Sequence, residues 1–310
     1  MFTSSLSCRC AYAMRSVLAL ALSLATVCGA GCGSNASFDG AAAWRLVEAQ
    51  CALGPRVPGS VASARLRARL RSELARWGWD TDEHCFLYRG VELCNVVARR
   101  GHGPLIIVGA HYDTRARADR GANSSETGVP GANDGASGVA VLVELARAMD
   151  AARQTHEVWL VFFDGEDQGD LNGWPWAVGA SEFAAGLEVE PESVIIVDMV
   201  GDRDQALFYE RSSTPWLMEC VWAQAAEMGF SAQFRPEYRH GVIDDHTPFL
   251  QRGMAAVDII DFDYAYWHTT ADTPDKVSPA SLERVGRVLE AILEGHSDCP
   301  AMRGEMDESS

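Results

Sequence analysis

Leu105-Ile106-Ile107-Val108-Gly109-Ala110-His111-Tyr112-Asp113 and Trp159-Leu160-Val161-Phe162-Phe163-Asp164-Gly165-Glu166-Asp167 share one design: a short apolar run that ends in a polar cluster. Runs of this kind, without polar alternation, are what strands buried on both faces look like. Between them, residues 137–149 carry apolar side chains at helical spacing. Outward from this unit the alternation continues. Residues 95–98 and 104–110 read as strands before that helix, and residues 157–163, 193–197 and 255–260 read as strands after it. Residues 215–228 and 279–294 read as helices, and 41–53 and 61–77 as two entry helices. The turn formers Gly54-Pro55-Arg56-Val57-Pro58-Gly59-Ser60 separate the entry helices. The expected fold is α/β, a single domain with a doubly wound, mostly parallel central sheet flanked by helices.

The chain of 310 residues is 47% hydrophobic and 22% charged, enough to bury a sizeable core. Its formal net charge of -17 argues against nucleic acid as a partner, because phosphate binding needs clustered Lys and Arg. Such a field suits a cationic ligand, such as a peptide's free amino group, although acidity also serves solubility alone. The series Arg65, Arg67, Arg69 and Arg71 in the second entry helix reads as a solvated face.

Residues 1–36 read as a signal peptide or lipoprotein signal, since Arg15 precedes an apolar run at 17–27 that ends in small residues. Cys32, after Gly29-Ala30-Gly31, and less well Cys28, are candidates for a lipid anchor. The apolar run is short for a membrane span, so the mature protein is expected to have no transmembrane segment. Export places it in the periplasm, on a membrane by lipid, or outside the cell. Residues 37–297 are then the catalytic domain and 298–310 a polar tail. Beyond the signal, Cys51, Cys85, Cys94, Cys220 and Cys299 show no close metal-type spacing. Cys85 and Cys94 flank a hairpin that turns at Arg89-Gly90; a cross-strand disulfide and two reduced, buried cysteines both fit.

In an open α/β sheet, ligands bind beyond the carboxyl ends of the strands. There the sequence offers His111 and Asp113, then Glu166 and Asp167, then Asp198, and, past residue 260, His268; Asp134 sits at a helix entrance. Singly each has an ordinary explanation: an Asp before a helix is as a rule an N-cap, and a lone His is usually hydrogen-bonded in place. Jointly they gather carboxylates that would repel one another unless a cation neutralised them. Imidazole and carboxylate ligands without sulfur suit zinc.

Seven pieces in order carry a resemblance that spans about residues 54–293: residues 56–60, Gly109-Ala110-His111-Tyr112-Asp113, residues 131–138, Phe163-Asp164-Gly165-Glu166-Asp167, Asp198-Met199-Val200-Gly201, residues 244–250 and Trp267-His268-Thr269. On them the chain resembles the zinc exopeptidase family of bacterial and vacuolar aminopeptidases and animal-type glutaminyl cyclases. The resemblance implies zinc (Zn2+) held by Asp134, Asp167 and His268. In the aminopeptidase branch His111 and Asp198 hold a second ion and Asp134 bridges, so one ion is implied for a cyclase and two for a peptidase. Glu166 is implied as the general base, with Asp198 and Asp244 assisting in the cyclase, and Asp113 as a residue that orients its neighbours. Substrates would be the N-termini of peptides or proteins.

The run at 244–250 and the Trp267-His268 pair are more similar to the cyclases, in which an aromatic wall beside the ligand His holds a glutamine side chain. On that reading the Trp174-Pro175-Trp176 segment supplies another pocket aromatic, from Trp174 or Trp176, or else a packed lid, and Asp258 is a further pocket residue. The chain departs from animal cyclases at Asp167, where they carry Glu, at Asp258, where they carry His, and at Ala110, where they carry Cys. The expected function is glutaminyl-peptide cyclotransfer, an acyltransfer releasing ammonia; aminopeptidase action is the alternative, and a non-catalytic metal-binding peptide receptor the second.

Overall fold

The structure, a computed structural model, describes residues 37–121 and 126–295. The expected signal with Cys28 and Cys32, and the tail from 298, lie outside the described residues. A six-stranded sheet runs in the order β1-β2-β4-β3-β5-β8, where β1 is Asp80–Tyr88, β2 Val91–Arg100, β3 Leu105–His111, β4 Glu157–Phe163, β5 Ser193–Asp198 and β8 Ala256–Ile260. From β4 to β8 every pairing is parallel, while β1 and β2 form an antiparallel hairpin joined to β4 in the antiparallel sense. The sheet is thus mostly parallel, as the buried runs predict. Two strands the apolar runs do not announce, β6 (Leu207–Tyr209) and β7 (Phe234–Tyr238), form a separate parallel pair.

Strand alternation divides the core into two layers. Ile106, Val108, Leu160 and Ile195 pack with Val47 of α1 (Gly40–Cys51), Leu66 of α2 (Val61–Arg76), Val139 of α3 (Ala136–Ala148), Val221 of α5 (Pro215–Glu227) and Leu289 of α7 (Pro279–Leu293). Ile107, Val161, Phe163 and Val194 face the other way, toward Phe183 of α4 (Val178–Ala185) and Phe249 of α6 (Thr247–Gln251). Each such fully buried side chain contributes about 1.5–3 kcal/mol relative to exposure. The result is a stiff sheet whose parallel strands end at one rim, with five helices behind it and two short ones in front.

Cys85 and Cys94 face each other across the hairpin and are disulfide-bonded, which selects one of the two fates open in the sequence. Arg71 and Arg67 of α2 lie 3.5 and 3.8 Å from the Glu83 carboxylate, so that arginine series partly serves β1 and not only solvent. No helix among the described residues is long and apolar enough to cross a membrane.

Candidate active site

His111 is the last residue of β3 and Asp198 the last of β5, so their positions are fixed by sheet register. Glu166 and Asp167 lie in the turn after β4, and His268 in the segment after β8 at a backbone φ of 57°, a left-handed conformation uncommon outside glycine. Asp134 precedes α3 but does not cap it: Gly135, at φ 91°, takes the cap position and makes no side-chain bond. Freed from capping, Asp134 sits between two ligand groups. His111 Nε2 lies 3.0 Å from Asp198 Oδ1 and 3.2 Å from Asp134 Oδ1. His268 Nε2 lies 3.1 Å from Asp167 Oδ1 and 3.9 Å from Asp134 Oδ2. Within each group the candidate ligand atoms all fall within 4.8 Å of one another.

A ring of supports holds these residues. Asp113, fully buried, accepts from the backbone N–H of Glu166 at 3.0 Å and of Asp167 at 3.3 Å, clamping the turn that carries them. Asp272 accepts from the backbone N–H of Asn133 at 2.9 Å and of Asp134 at 3.1 Å, and from the Tyr264 hydroxyl at 2.6 Å. Arg56, fully buried, donates to the carbonyls of Pro130 and Gly131 and so pins the segment leading to Asp134. Asp119 Oδ1 stands 3.2 Å from His268 Nδ1, and Arg115 donates to both oxygens of Asp119.

The electrostatics of this rim call for a cation. Burial first, then Asp244, push the Glu166 carboxyl well above the usual range. Burial and Asp134 push Asp167 up to about 6, and burial with Asp244 takes Asp198 to about 7 against the pull of His111. Asp134 Oδ2, both carboxylate oxygens of Asp167 and Nε2 of His268 are buried and lack a hydrogen-bond partner. Unpaired buried groups of this kind are costly, and an N,O,O donor set with no sulfur fits zinc. The residues present therefore fit the ion.

Beside the triad opens a cleft of about 220 Å³, with Glu166, Asp198 and Asp244 among its polar lining and Trp176, Trp267, Phe262 and Val242 among its apolar walls. The Trp176 ring lies nearly parallel to the His268 ring, at 13° and 5.9 Å, and Trp267 packs on the same imidazole at 3.9 Å. Of the two candidate tryptophans, Trp176 lines the cleft, whereas Trp174 and Asp258 do not. Trp174 turns away to pack edge-on against Tyr88 of β1 at 5.0 Å. Asp258 lies within β8, two residues short of the strand end at Ile260, and so below the rim. It is fully buried, its Oδ2 3.7 Å from His246 Nδ1.

Arg115, Asp119, Asp272 and Tyr264 are the structural partners that sequence reasoning missed. Arg115 and Asp119 follow His111 in the same loop, a signal that was present; Asp272 and Tyr264 flank His268 in the same way.

An open α/β sheet whose strand ends gather imidazole and carboxylate ligands around a shared aspartate, beside a buried glutamate, defines a zinc exopeptidase-like architecture. Comparison with known proteins gives the family: the model of peptidase family M28 matches residues 95–293, more than half of the chain, and the chain belongs to that family. It is similar to a Zn-dependent exopeptidase from Parabacteroides distasonis, with a TM-score of 0.79 and 28% identity, covering 83% of this chain and 98% of that one. It is similar also to Tannerella forsythia glutaminyl cyclase, with a TM-score of 0.77 and 29% identity, covering 83% and 99%. Among curated relatives, the glutaminyl-peptide cyclotransferase-like protein of Mus musculus is 26% identical over 285 residues, 77% of this chain and 71% of that protein. Family and neighbours together imply zinc and an enzyme.

Proposed function

We propose that the chain is a glutaminyl-peptide cyclotransferase holding one zinc ion in the Asp134, Asp167 and His268 triad. The observation that carries this reading is the contrast between the two ligand groups. His111 Nε2 is hydrogen-bonded to Asp198 at 3.0 Å, whereas His268 Nε2, although 3.1 Å from Asp167 Oδ1, makes no hydrogen bond, and neither do Asp134 Oδ2 or the two Asp167 oxygens. A cleft of only about 220 Å³ with tryptophan walls suits one compact side chain folded on itself.

Zinc, when bound, would polarise the side-chain amide carbonyl of an N-terminal glutamine. The buried Glu166, adjacent to ligand Asp167, takes a proton from the α-amine as that nitrogen bonds to the amide carbon. It returns the proton to the departing amide nitrogen, which leaves as ammonia while the ring closes to pyroglutamate. Asp198 and Asp244 face the same cleft and hold the amine by charge and hydrogen bonding. Trp176 and Trp267 confine the side chain and exclude water, the competing nucleophile.

The aminopeptidase reading rests on the His111, Asp134 and Asp198 group, whose ligand atoms are equally close. Gln-β-naphthylamide and Leu-β-naphthylamide, offered separately, decide between the two. Ammonia and a pyroglutamyl product from the first are expected; naphthylamine from the second, with no cyclised product, would reject cyclisation. Export belongs to the same proposal: the apolar run at 17–27 and the Cys85–Cys94 disulfide both suit an oxidising compartment.

A further inference from the structure

Arg115 lies in the loop after His111 and is 2% exposed. Its guanidinium is spent wholly on neighbours of the site. Nε donates to Asp119 Oδ1 at 2.9 Å and Nη2 to Asp119 Oδ2 at 2.5 Å. Nη1 donates to the carbonyls of Asp167 and Gly169, each at 3.1 Å, and stands 3.7 Å from Asp167 Oδ1. The guanidinium carbon lies 5.3 Å from the centre of the Trp176 ring. That ring rests against the bare backbone of Gly169, where an added Cβ would come within 2.0 Å of it. On its other contact it runs parallel to His268.

We infer that Arg115 is a positioning residue that ties two zinc ligands, Asp167 and His268, and the substrate wall Trp176 into one mechanical unit, so that zinc binding and the shape of the cleft are coupled. The inference rests on the triad being the zinc site, and not on which reaction follows. Its chemistry is that of a fork. Two parallel bonds to Asp119 hold that carboxylate 3.2 Å from His268 Nδ1, where its charge faces that side of the ring while Nε2 is the atom turned toward Asp134 and Asp167. The third nitrogen holds the Asp167–Gly169 turn by its carbonyls, and the flat face of the same group packs with the indole. Lysine keeps the charge but has neither the fork nor the plane. Coupling of this kind is reciprocal: whatever loosens the ligands loosens the wall.

The test uses zinc alone, titrated against a chromophoric chelator into the full chain, with tryptophan emission recorded in parallel. Arg115→Lys and Asp119→Asn are each expected to weaken zinc binding by about 10–100-fold, and the double variant no more than the weaker-binding single one. Zinc should change the emission of the wild type, and that change should shrink in Trp176→Phe, where Trp267 beside His268 still reports, and shrink likewise in Arg115→Lys. Asp119→Asn alters a partly exposed side chain and keeps the test available if Arg115→Lys does not fold. Zinc affinity within about twofold of wild type in Asp119→Asn would overturn the inference. A wild-type emission indifferent to zinc would overturn the coupling. A wild type that binds no zinc would instead overturn the metal reading beneath it, a distinct result.

Discussion

The two halves of the site that meet at Asp134 use the same residue types and are built in opposite ways. His111 and Asp198 stand on the last residues of paired neighbours β3 and β5, held by sheet register. Asp167 and His268 stand on loops, and are held instead by Asp113, Arg115 and Asp119, with His268 in a left-handed backbone conformation. The strand half closes on itself through the contact between His111 and Asp198; the loop half keeps open donors. Register supplies position without further cost, whereas a loop ligand must be over-determined by partners, and strained backbone persists only where surroundings enforce it.

The largest expected effect is at Glu166, the neighbour of ligand Asp167 that lines the cleft with Asp198. Glu166→Gln keeps the shape and removes the proton carrier, so turnover of Gln-β-naphthylamide should fall by about 10²–10⁴-fold. Zinc content should stay at the wild-type level. Loss of zinc together with turnover would make Glu166 a ligand and the division into halves wrong.

Next in size is a comparison of the two imidazoles. His268→Ala should lower zinc affinity by at least about 10–100-fold, while His111→Ala should leave one zinc per chain, counted by elemental analysis after dialysis. Retention of two ions by the wild type, and loss of one in His111→Ala, would return the strand half to metal binding and favour the peptidase.

The strand half was legible in the sequence for a physical reason. A parallel strand buried on both faces must be apolar along its length, so the first polar residue marks the rim; β4 was read with both its ends, and β3 and β5 within one residue. The loop half was legible as positions, Asp167 after β4 and His268 past β8, but its grouping around one ion came only from the resemblance, and nothing in a loop's periodicity says which way Trp174 and Trp176 turn. Its supports lie near the ligand histidines in sequence, but the partner that Asp272 holds was hidden by distance along the chain. Asp272 reaches Asn133 and Asp134 across 139 and 138 residues, and a lone aspartate in a polar segment carries no sign of that. The short strands β6 and β7 escaped because β7 is exposed at Arg235, Pro236, Glu237 and Tyr238 and lacks an apolar run.

Acid should act on the buried Glu210–His246 pair beside Asp258 of β8. Burial raises the Glu210 carboxyl, but hydrogen bonding to His246 and bonds from Ser212 outweigh it and hold the group at about 2, below its ordinary 4.5. A depressed carboxyl contributes stability that is present above the unfolded value and lost as pH falls through the folded one. The stability difference between wild type and Glu210→Gln, about 1.5–3 kcal/mol by urea unfolding of zinc-free protein at neutral pH, should therefore shrink as pH falls from about 4.5 toward 2. A difference that stayed constant through this window would show that Glu210 acts by packing and not by its charge.

The smallest expected effect concerns the hinge between the halves. Tyr264→Phe removes the hydroxyl that donates to Asp272 Oδ1 but leaves Asp272 its two backbone donors at Asn133 and Asp134. One hydrogen bond to a buried carboxylate is at stake, worth about 1–2 kcal/mol of stability. Because Asp134 belongs to both ligand groups, its loosening should be felt on both sides: zinc affinity should fall by less than in His268→Ala. The contact between His111 and Asp134, read as the chemical shift of the His111 ring, should change with it. If zinc affinity falls while the His111 resonance stays in place, Asp134 serves the loop half alone. The shared aspartate would then be a ligand of one ion that merely lies beside the other imidazole.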